Sequence, residues 1–480
     1  MIAFFEDFKI RMSQVYFVII FSVLTLYVHN GYFDLIEAKG YMLLWITLVF
    51  VAVMLLSDIL ICIRDKKISA RFWATFDMLE CCLIAFAIIS VLSALVSPTG
   101  LTAFWGSDGC SIGSFMIILL CVSCIFMKRY LELEKWMIFI MAISGIIVFI
   151  LGITDCFDLD IMGWHEGIAA SHFDFLSTIG NRDYYDGYLA LMLPFFAVLM
   201  LFEKNKGWHV FYGLYVVLGF VNMYIAKNDG NLLIFGCGIF LVYYILKEKV
   251  SIYRVIELLM LFIIASIIVK CMYLWVPAEN VVGNSIMGVL LDKQWHVVLC
   301  GIVAVMWILK NKSLPDQAIK IWIGFSVVVI LLLFIIVVVG YDNTFASNRG
   351  YIWSYGIQTF IKSPIDMKIS GWGTDCYKNA IYTTVGDLIA ATWPEPTIIA
   401  NAHNEIVQYL VTMGLLGTLA YIGIYAITLF SEIEKGNVLA MASRCGIFAY
   451  FCISLGNNPE GLNYGILFAM LAIANKKSVS

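Results

Sequence analysis

Along the 480 residues, apolar runs long enough to cross a lipid bilayer alternate with short polar breaks. A helix needs roughly 20 apolar residues to cover the hydrocarbon core. By that measure fourteen runs qualify: 12–29, 41–63, 77–96, 112–127, 136–154, 187–202, 208–226, 230–246, 252–276, 295–309, 321–340, 404–430, 438–455 and 461–474. The runs at 187–202, 295–309 and 461–474 are the short ones. Two of the breaks, about 155–186 and 341–403, exceed what a helix connection requires.

Composition agrees with this pattern. The chain is 62% hydrophobic and 13% charged, with a mean hydropathy of +0.91. Soluble domains sit nearer 45–50% apolar and about 25% charged. Burying this much apolar surface needs lipid as the solvent. The expected class is an all-α polytopic membrane protein with about 14 transmembrane helices. The net charge of −4 and scattered basic residues exclude a nucleic-acid-binding face. Of the 13 cysteines, most lie inside apolar runs, where they read as small packing residues. Cys121 and Cys124 form a C-x-x-C that lacks neighbouring ligands. Cys110, Cys156 and Cys376 fall in outward segments, and whether they pair is open. Lys9 and Arg11 precede the first apolar run, and no small-residue cleavage site follows it, so that run reads as an uncleaved anchor.

Lysine and arginine set the orientation. With the N-terminus inside, cytoplasmic segments hold 21 of the 30 basic residues, outward segments hold 8, and Lys270 lies within a run. Both termini then face the cytoplasm. Four regions follow: N-terminal membrane helices (1–154), a membrane core with the outward loop 155–186 (155–340), a large extracytoplasmic loop (341–403), and C-terminal membrane helices (404–480).

The large loop carries the candidate chemistry. It contains Arg349-Gly350-Tyr351-Ile352-Trp353, then Lys362-Ser363-Pro364, then Gly371-Trp372-Gly373, and it closes on Ala402-His403-Asn404-Glu405. The spaced apolar positions of 349–361 suit a short helix on the membrane face, which Pro364 ends. Gly371 and Gly373 permit a tight turn. His403 then stands where the next apolar run meets water.

These motifs resemble the O-antigen ligase and O-antigen polymerase superfamily of bacterial envelope glycosyltransferases. Arg349 with Trp353, the Pro364…Gly371-Trp372-Gly373 turn, and His403-Asn404 followed after nine residues by Gly414-x-x-Gly417 are similar to its pattern. The stretch Gly180-Asn181-Arg182-Asp183 through Leu189-Ala190-Leu191-Met192-Leu193-Pro194 resembles a second family motif, and Phe104-Trp105-Gly106 a weaker third. The chain departs from the family after residue 225. Many members have Ser-Arg-Gly there, and this chain has Lys227-Asn228-Asp229-Gly230. Lys227 can substitute as a point charge but not as a bidentate fork.

The resemblance implies a GT-C-like fold and a site in the bacterial inner membrane. The donor would be a glycan on a polyprenyl pyrophosphate. The acceptor would be a glycan, lipid or protein hydroxyl on the outer face. It implies an inverting, metal-independent transfer with no cofactor. Arg349 and Arg182 would hold the pyrophosphate, joined by Asn181, Lys227, Asn404 and Trp353, and His403 would take the acceptor's proton. Plain structural roles compete with these. Trp353 and Trp372 suit interface anchoring, Asn404 and Glu405 suit a helix start, and Lys270 can snorkel. Asp158-Leu159-Asp160, flanked by His165 and His172, has a metal-like spacing but reads as a solvated acidic loop. A ligase, a repeat-unit polymerase and a protein O-glycosyltransferase all fit the motifs, the nine-residue spacing tilting towards a ligase. A polysaccharide transporter or flippase would need repeated halves and broken helices, neither of which the sequence displays. A scaffold of an envelope assembly would leave Arg349 and His403 dispensable.

Overall fold

The computed structural model describes residues 2–65, 76–106, 112–165, 175–228, 252–277, 343–393, 398–434 and 436–476, with scattered positions between 281 and 304. In chain order the helices are α1 (Ile2–Val18, continued by a π-helical stretch Ile19–Leu24), α2 (Leu35–Asp65), α3 (Met78–Val96), α4 (Leu101–Trp105), α5 (Ser114–Tyr130) and α6 (Lys135–Cys156). Then come α7 (Arg182–Phe202), α8 (Lys206–Ile225), α9 (Ile252–Met272), α10 (Phe345–Lys362), α11 (Ile365–Ser370) and α12 (Tyr377–Thr392). The last are α13 (Glu405–Thr412), α14 (Gly414–Phe430), α15 (Val438–Ser454) and α16 (Gly461–Ala474). Between α6 and α7 lies a pair of antiparallel two-residue strands, β1 (Phe175–Leu176) and β2 (Gly180–Asn181).

Among the described residues, six helices are long and apolar enough to cross a membrane: α2, α3, α6, α7, α8 and α9. The shorter helices α14, α15 and α16 are also apolar. The chain is a mostly helical, multi-pass membrane protein. The runs 230–246 and 321–340, most of 295–309, and Cys110, Cys237 and His172 lie outside the described residues.

Helix α7 is the axis of the bundle. Its apolar window is 94% buried, against 39–56% for the other five. The sequence explains this, since Tyr-Tyr-Asp-Gly-Tyr-Leu-Ala-Leu-Met-Leu-Pro-Phe-Phe has no polar stripe and no face reserved for lipid. Small residues let its neighbours approach. A methyl group on Gly446 of α15 would lie 2.3 Å from the Leu191 carbonyl oxygen, and one on Gly187 would lie 2.5 Å from Asn463 Nδ2 of α16. Helices α15 and α16 therefore lie tightly on α7, and the connection between them arrives beside the first turn of α7.

The connections sort to two ends. At one end Lys128 and Arg129 pair with Asp77 and Glu80, Lys9 pairs with Asp58, and Arg444 donates to Ser431. At the other, Tyr32 donates to the Ser177 carbonyl (2.8 Å), Ser97 donates to that of Trp372 (2.6 Å), and Arg349 meets Asp183. Within the first helix, the π-helical stretch frees backbone carbonyls. Buried Lys39 donates to the Leu24 and Thr25 carbonyls at 2.7 and 2.9 Å. Lys39, expected in an outward segment, is buried inside the bundle.

The span expected over 404–430 is two helices. The chain breaks at Met413–Gly414, where Gly414 has a φ of +65°. The cause is the Gly371-Trp372-Gly373 turn, which docks into the break. Trp372 and Gly373 backbone amides donate to the Val411 and Thr412 carbonyls at 3.0 and 2.9 Å. Ser93 also donates to the Thr412 carbonyl (2.7 Å). Carbonyls orphaned at the end of α13 thus find partners. A side chain at Gly371 would meet the Thr412 carbonyl at 2.2 Å, and one at Gly414 the Ile369 carbonyl at 2.4 Å. The two glycine motifs are the two halves of one joint.

Candidate functional site

Residues 343–393 form with α13 a small helical layer whose apolar core is Tyr355, Tyr377, Ala380, Ile381, Val385 and Val411. The helix expected over 349–361 is α10. It packs on α12 and α13 and buries Tyr355, so its apolar face meets protein. Trp353 and Trp372 make internal hydrogen bonds. Trp353 Nε1 donates to the His403 carbonyl (3.2 Å), and Trp372 Nε1 donates to Ser363 Oγ (2.8 Å). Cys156 and Cys376 are both free thiols, and Cys376 Sγ lies 3.0 Å from Thr99 Oγ1.

His403 sits in the turn before α13 with a φ of +48°, a backbone region that side-chain-bearing residues seldom adopt. Such strain persists only where surroundings over-determine it. Here the backbone amide donates to Asn458 Oδ1 (2.7 Å) while the carbonyl accepts from Trp353. Asn404 is the N-cap of α13, its side chain accepting from the Val407 amide at 3.1 Å. Asn404 therefore shapes the helix start. Glu405 points the other way. Its carboxyl is fully buried and accepts from Tyr421 of α14, Tyr450 of α15 (2.8 Å) and Tyr464 of α16 (2.9 Å).

The first turn of α7 faces this turn. Asn181 caps α7, its Oδ1 accepting from the Asp183 amide (2.8 Å). Asp183 Oδ2 accepts from Arg349 Nη2 at 2.6 Å and lies 3.8 Å from His403 Nδ1. Its Oδ1 accepts from Asn228 Nδ2 (3.2 Å), and its carbonyl accepts from Asn457. Arg349 also donates to the Gly456 carbonyl. The His403 imidazole is pushed down to about 4, first by burial and then by the Arg349 charge, against an opposing pull from Asp183. The ring is neutral across the physiological range.

Arg349, Trp353, His403, Asn404 and Asn181 are thus gathered around Asp183. Arg182 and Lys227 stand at adjoining helix ends, and both charges act on Cys156 at the end of α6. Among the described residues no group of three or more His, Cys, Asp or Glu side chains is placed to hold a metal. Asp160 is engaged locally, its carboxylate accepting from the Trp164 and His165 amides, while His165 faces Asp155 at 3.7 Å.

A family model described as O-antigen ligase matches residues 292–422. Over that stretch the chain is similar to the O-antigen ligase family. No curated protein and no solved structure matches the chain. The matched segment contains Arg349, Trp353, His403 and Asn404, whereas Asp183, Asn457 and Asn458 lie outside it. The matched segment therefore supplies half of the cluster, and the ends of α7, α15 and α16 supply the rest. Motif reading alone overlooked Asp183, Asn457 and Asn458. A weak signal was present in Asn457-Asn458-Pro459-Glu460, a polar run set between two apolar helices. The other was Asp183 in a first helical turn, where acidic residues are favoured.

Proposed function

We propose that this protein is a membrane glycosyltransferase of the O-antigen ligase kind, moving a glycan from a polyprenyl-pyrophosphate carrier to an acceptor hydroxyl outside the cytoplasm. The convergence of Arg349 and His403 on one patch at the mouth of the bundle is the observation that carries this reading. The opposite end holds Lys9, Lys128, Arg129 and Arg444, a distribution that supports placing the site end outside.

In this reading Arg349 grips the pyrophosphate, whose oxygens match the guanidinium fork. Arg182 and Lys227 add positive potential at the rim, and Lys227 stands in for the arginine that many relatives carry. His403, neutral before reaction, receives the acceptor's proton as its oxygen attacks the anomeric carbon. The leaving pyrophosphate is already a stable anion, so no protonation of the leaving group is needed. Inversion follows from a single displacement, and the residues named need no metal to perform it. A repeat-unit polymerase would use the same residues, and the nine-residue spacing after Asn404 favours the ligase.

The test is glycan transfer from a lipid-linked donor by His403→Ala and Arg349→Ala at matched protein levels. We expect both to lose at least about a hundredfold, the usual range for a general base or an anion-stabilising donor. Full activity in both would refute the reading. A ladder of lengthening chains on the carrier would identify a polymerase, and a glycosylated Ser or Thr a protein O-glycosyltransferase.

A further inference from the structure

Asp183 stands where the two residues assigned to chemistry meet, and its backbone is held on both sides by Asn181 and Asn457. Asn458 has only one orientation that satisfies its neighbours. Its Oδ1 accepts from the His403 amide (2.7 Å), so its Nδ2 faces His403 Nδ1 at 3.2 Å. An amide nitrogen only donates, so Nδ1 must accept. A neutral His403 then carries its proton on Nε2. In that tautomer neither ring nitrogen has a lone pair to offer an acceptor hydroxyl, because Nδ1 is engaged and Nε2 is protonated. Meanwhile Arg349, the pyrophosphate ligand, is tied to Asp183 at 2.6 Å. The resting site therefore withholds both of its working groups.

We infer that Asp183 is a positioning residue that keeps Arg349 in reserve, yields it to the donor's pyrophosphate, and then draws the His403 ring proton to Nδ1 so that Nε2 can act as the base. This rests on the glycan-transfer reading above. One guanidinium fork cannot serve a carboxylate and a diphosphate fully at once, and the diphosphate bears more charge. Once released, Asp183 Oδ2 is 3.8 Å from Nδ1, less than about 1 Å beyond hydrogen-bond distance, and a small ring rotation carries Nδ1 from the Asn458 donor to that carboxylate as it takes the proton. Nε2 is then free to accept. In the step itself, the acceptor oxygen bonds to the anomeric carbon as the carbon–oxygen bond to pyrophosphate breaks. The electron pair leaves on that pyrophosphate oxygen. The acceptor's proton moves to Nε2, and the imidazolium rests against Asp183 until it loses that proton to water. The charged groups facing His403 are Arg349 from α10 and Asp183 from α7, the first lowering and the second raising its proton affinity. Glu405 points away into its tyrosines, and Glu460 caps the first amides of α16. Pairing Arg349 with pyrophosphate therefore makes His403 a stronger base at the moment a base is required.

The experiment uses the full chain in detergent, with inorganic pyrophosphate as the probe. Asp183→Asn should bind pyrophosphate roughly threefold to tenfold more tightly, the scale of removing an ion pair whose side chains are 21% and 19% exposed. The same variant should transfer glycan at least about tenfold more slowly. A merely structural aspartate would not yield opposite signs. Unchanged or weaker affinity, or undiminished transfer, overturns the proposal. Should that variant fail to fold, the wild-type protein answers alone. Diethyl pyrocarbonate modifies neutral imidazole, and peptide mapping isolates His403. The midpoint of its pH dependence should rise when pyrophosphate is added, and an unmoved midpoint overturns the inference. Arg349→Ala separates the two layers. If it binds pyrophosphate as well as wild type, the donor reading itself fails. If it loses binding while Asp183→Asn gains none, only the role of Asp183 falls.

Discussion

Glu405 offers the sharpest test of how the site is held. Its carboxyl is fully buried, and it accepts hydroxyls from Tyr421, Tyr450 and Tyr464, one from each of α14, α15 and α16. A second layer backs the first, with Tyr409 and Tyr425 lying 2.6 and 3.1 Å from Tyr464 and Tyr421. Replacing Glu405 by Leu keeps volume and strands three buried hydroxyls. At about 1 kcal/mol per hydrogen bond lost, the cost is about 3 kcal/mol, less whatever the tyrosines regain by bonding to one another. Glu405→Gln retains two hydrogen-bonding atoms and should cost about 1 kcal/mol. Tyr464→Phe removes the hydroxyl that joins Glu405 to Tyr409 and should fall between. Thermal unfolding in detergent reads the order of decreasing stability: wild type, then Glu405→Gln, then Tyr464→Phe, then Glu405→Leu. Because Glu405 follows the His403 turn directly, transfer should fall in the same order. A Glu405→Leu protein that melts and transfers like wild type would refute the anchoring role.

Other consequences follow from single contacts. Gly414→Ala must hold a φ of +65° and press a methyl group to within 2.4 Å of the Ile369 carbonyl. It should lose at least about 1–2 kcal/mol of stability, whereas alanine at exposed Gly436, where a side chain would meet open space, costs only its own positive φ. Asn458→Ala removes the acceptor that holds the His403 amide, and with it the placement of the ring, a loss that outweighs freeing Nδ1 from its donor. Transfer should drop about tenfold or more with little change in pyrophosphate binding, and equal losses in both would show that Asn458 acts on the whole end of the bundle. The pH profile of transfer by the free enzyme should be flat at neutrality and fall as pH drops towards about 4, where His403 takes up its proton and ceases to be a base. A midpoint near the ordinary histidine value of about 6.5 would contradict the burial and the Arg349 charge that depress it.

Much was written in the chain alone. Hydrophobic runs identified a multi-pass membrane protein because a bilayer imposes a length and an apolarity that few other environments demand. Turn chemistry did the same locally. Pro364 ends α10, and Gly371 and Gly373 occur where positive φ is required. The motif residues Arg349, Trp353, His403 and Asn404 were legible because their order along one segment is itself a signal. Tertiary packing decided the rest. No local pattern could reveal that 404–430 breaks at Gly414, since the turn filling that break comes from a separate connection well upstream. Nor could it reveal that Trp353 supports the His403 carbonyl, or that Glu405 is caged by tyrosines from three later helices. Above all, Asp183 lies 166 residues before Arg349 in the chain. Its importance arises only because α7 is the buried axis on which α15 and α16 close, bringing one carboxylate beside an arginine and a histidine that the sequence had placed together without it.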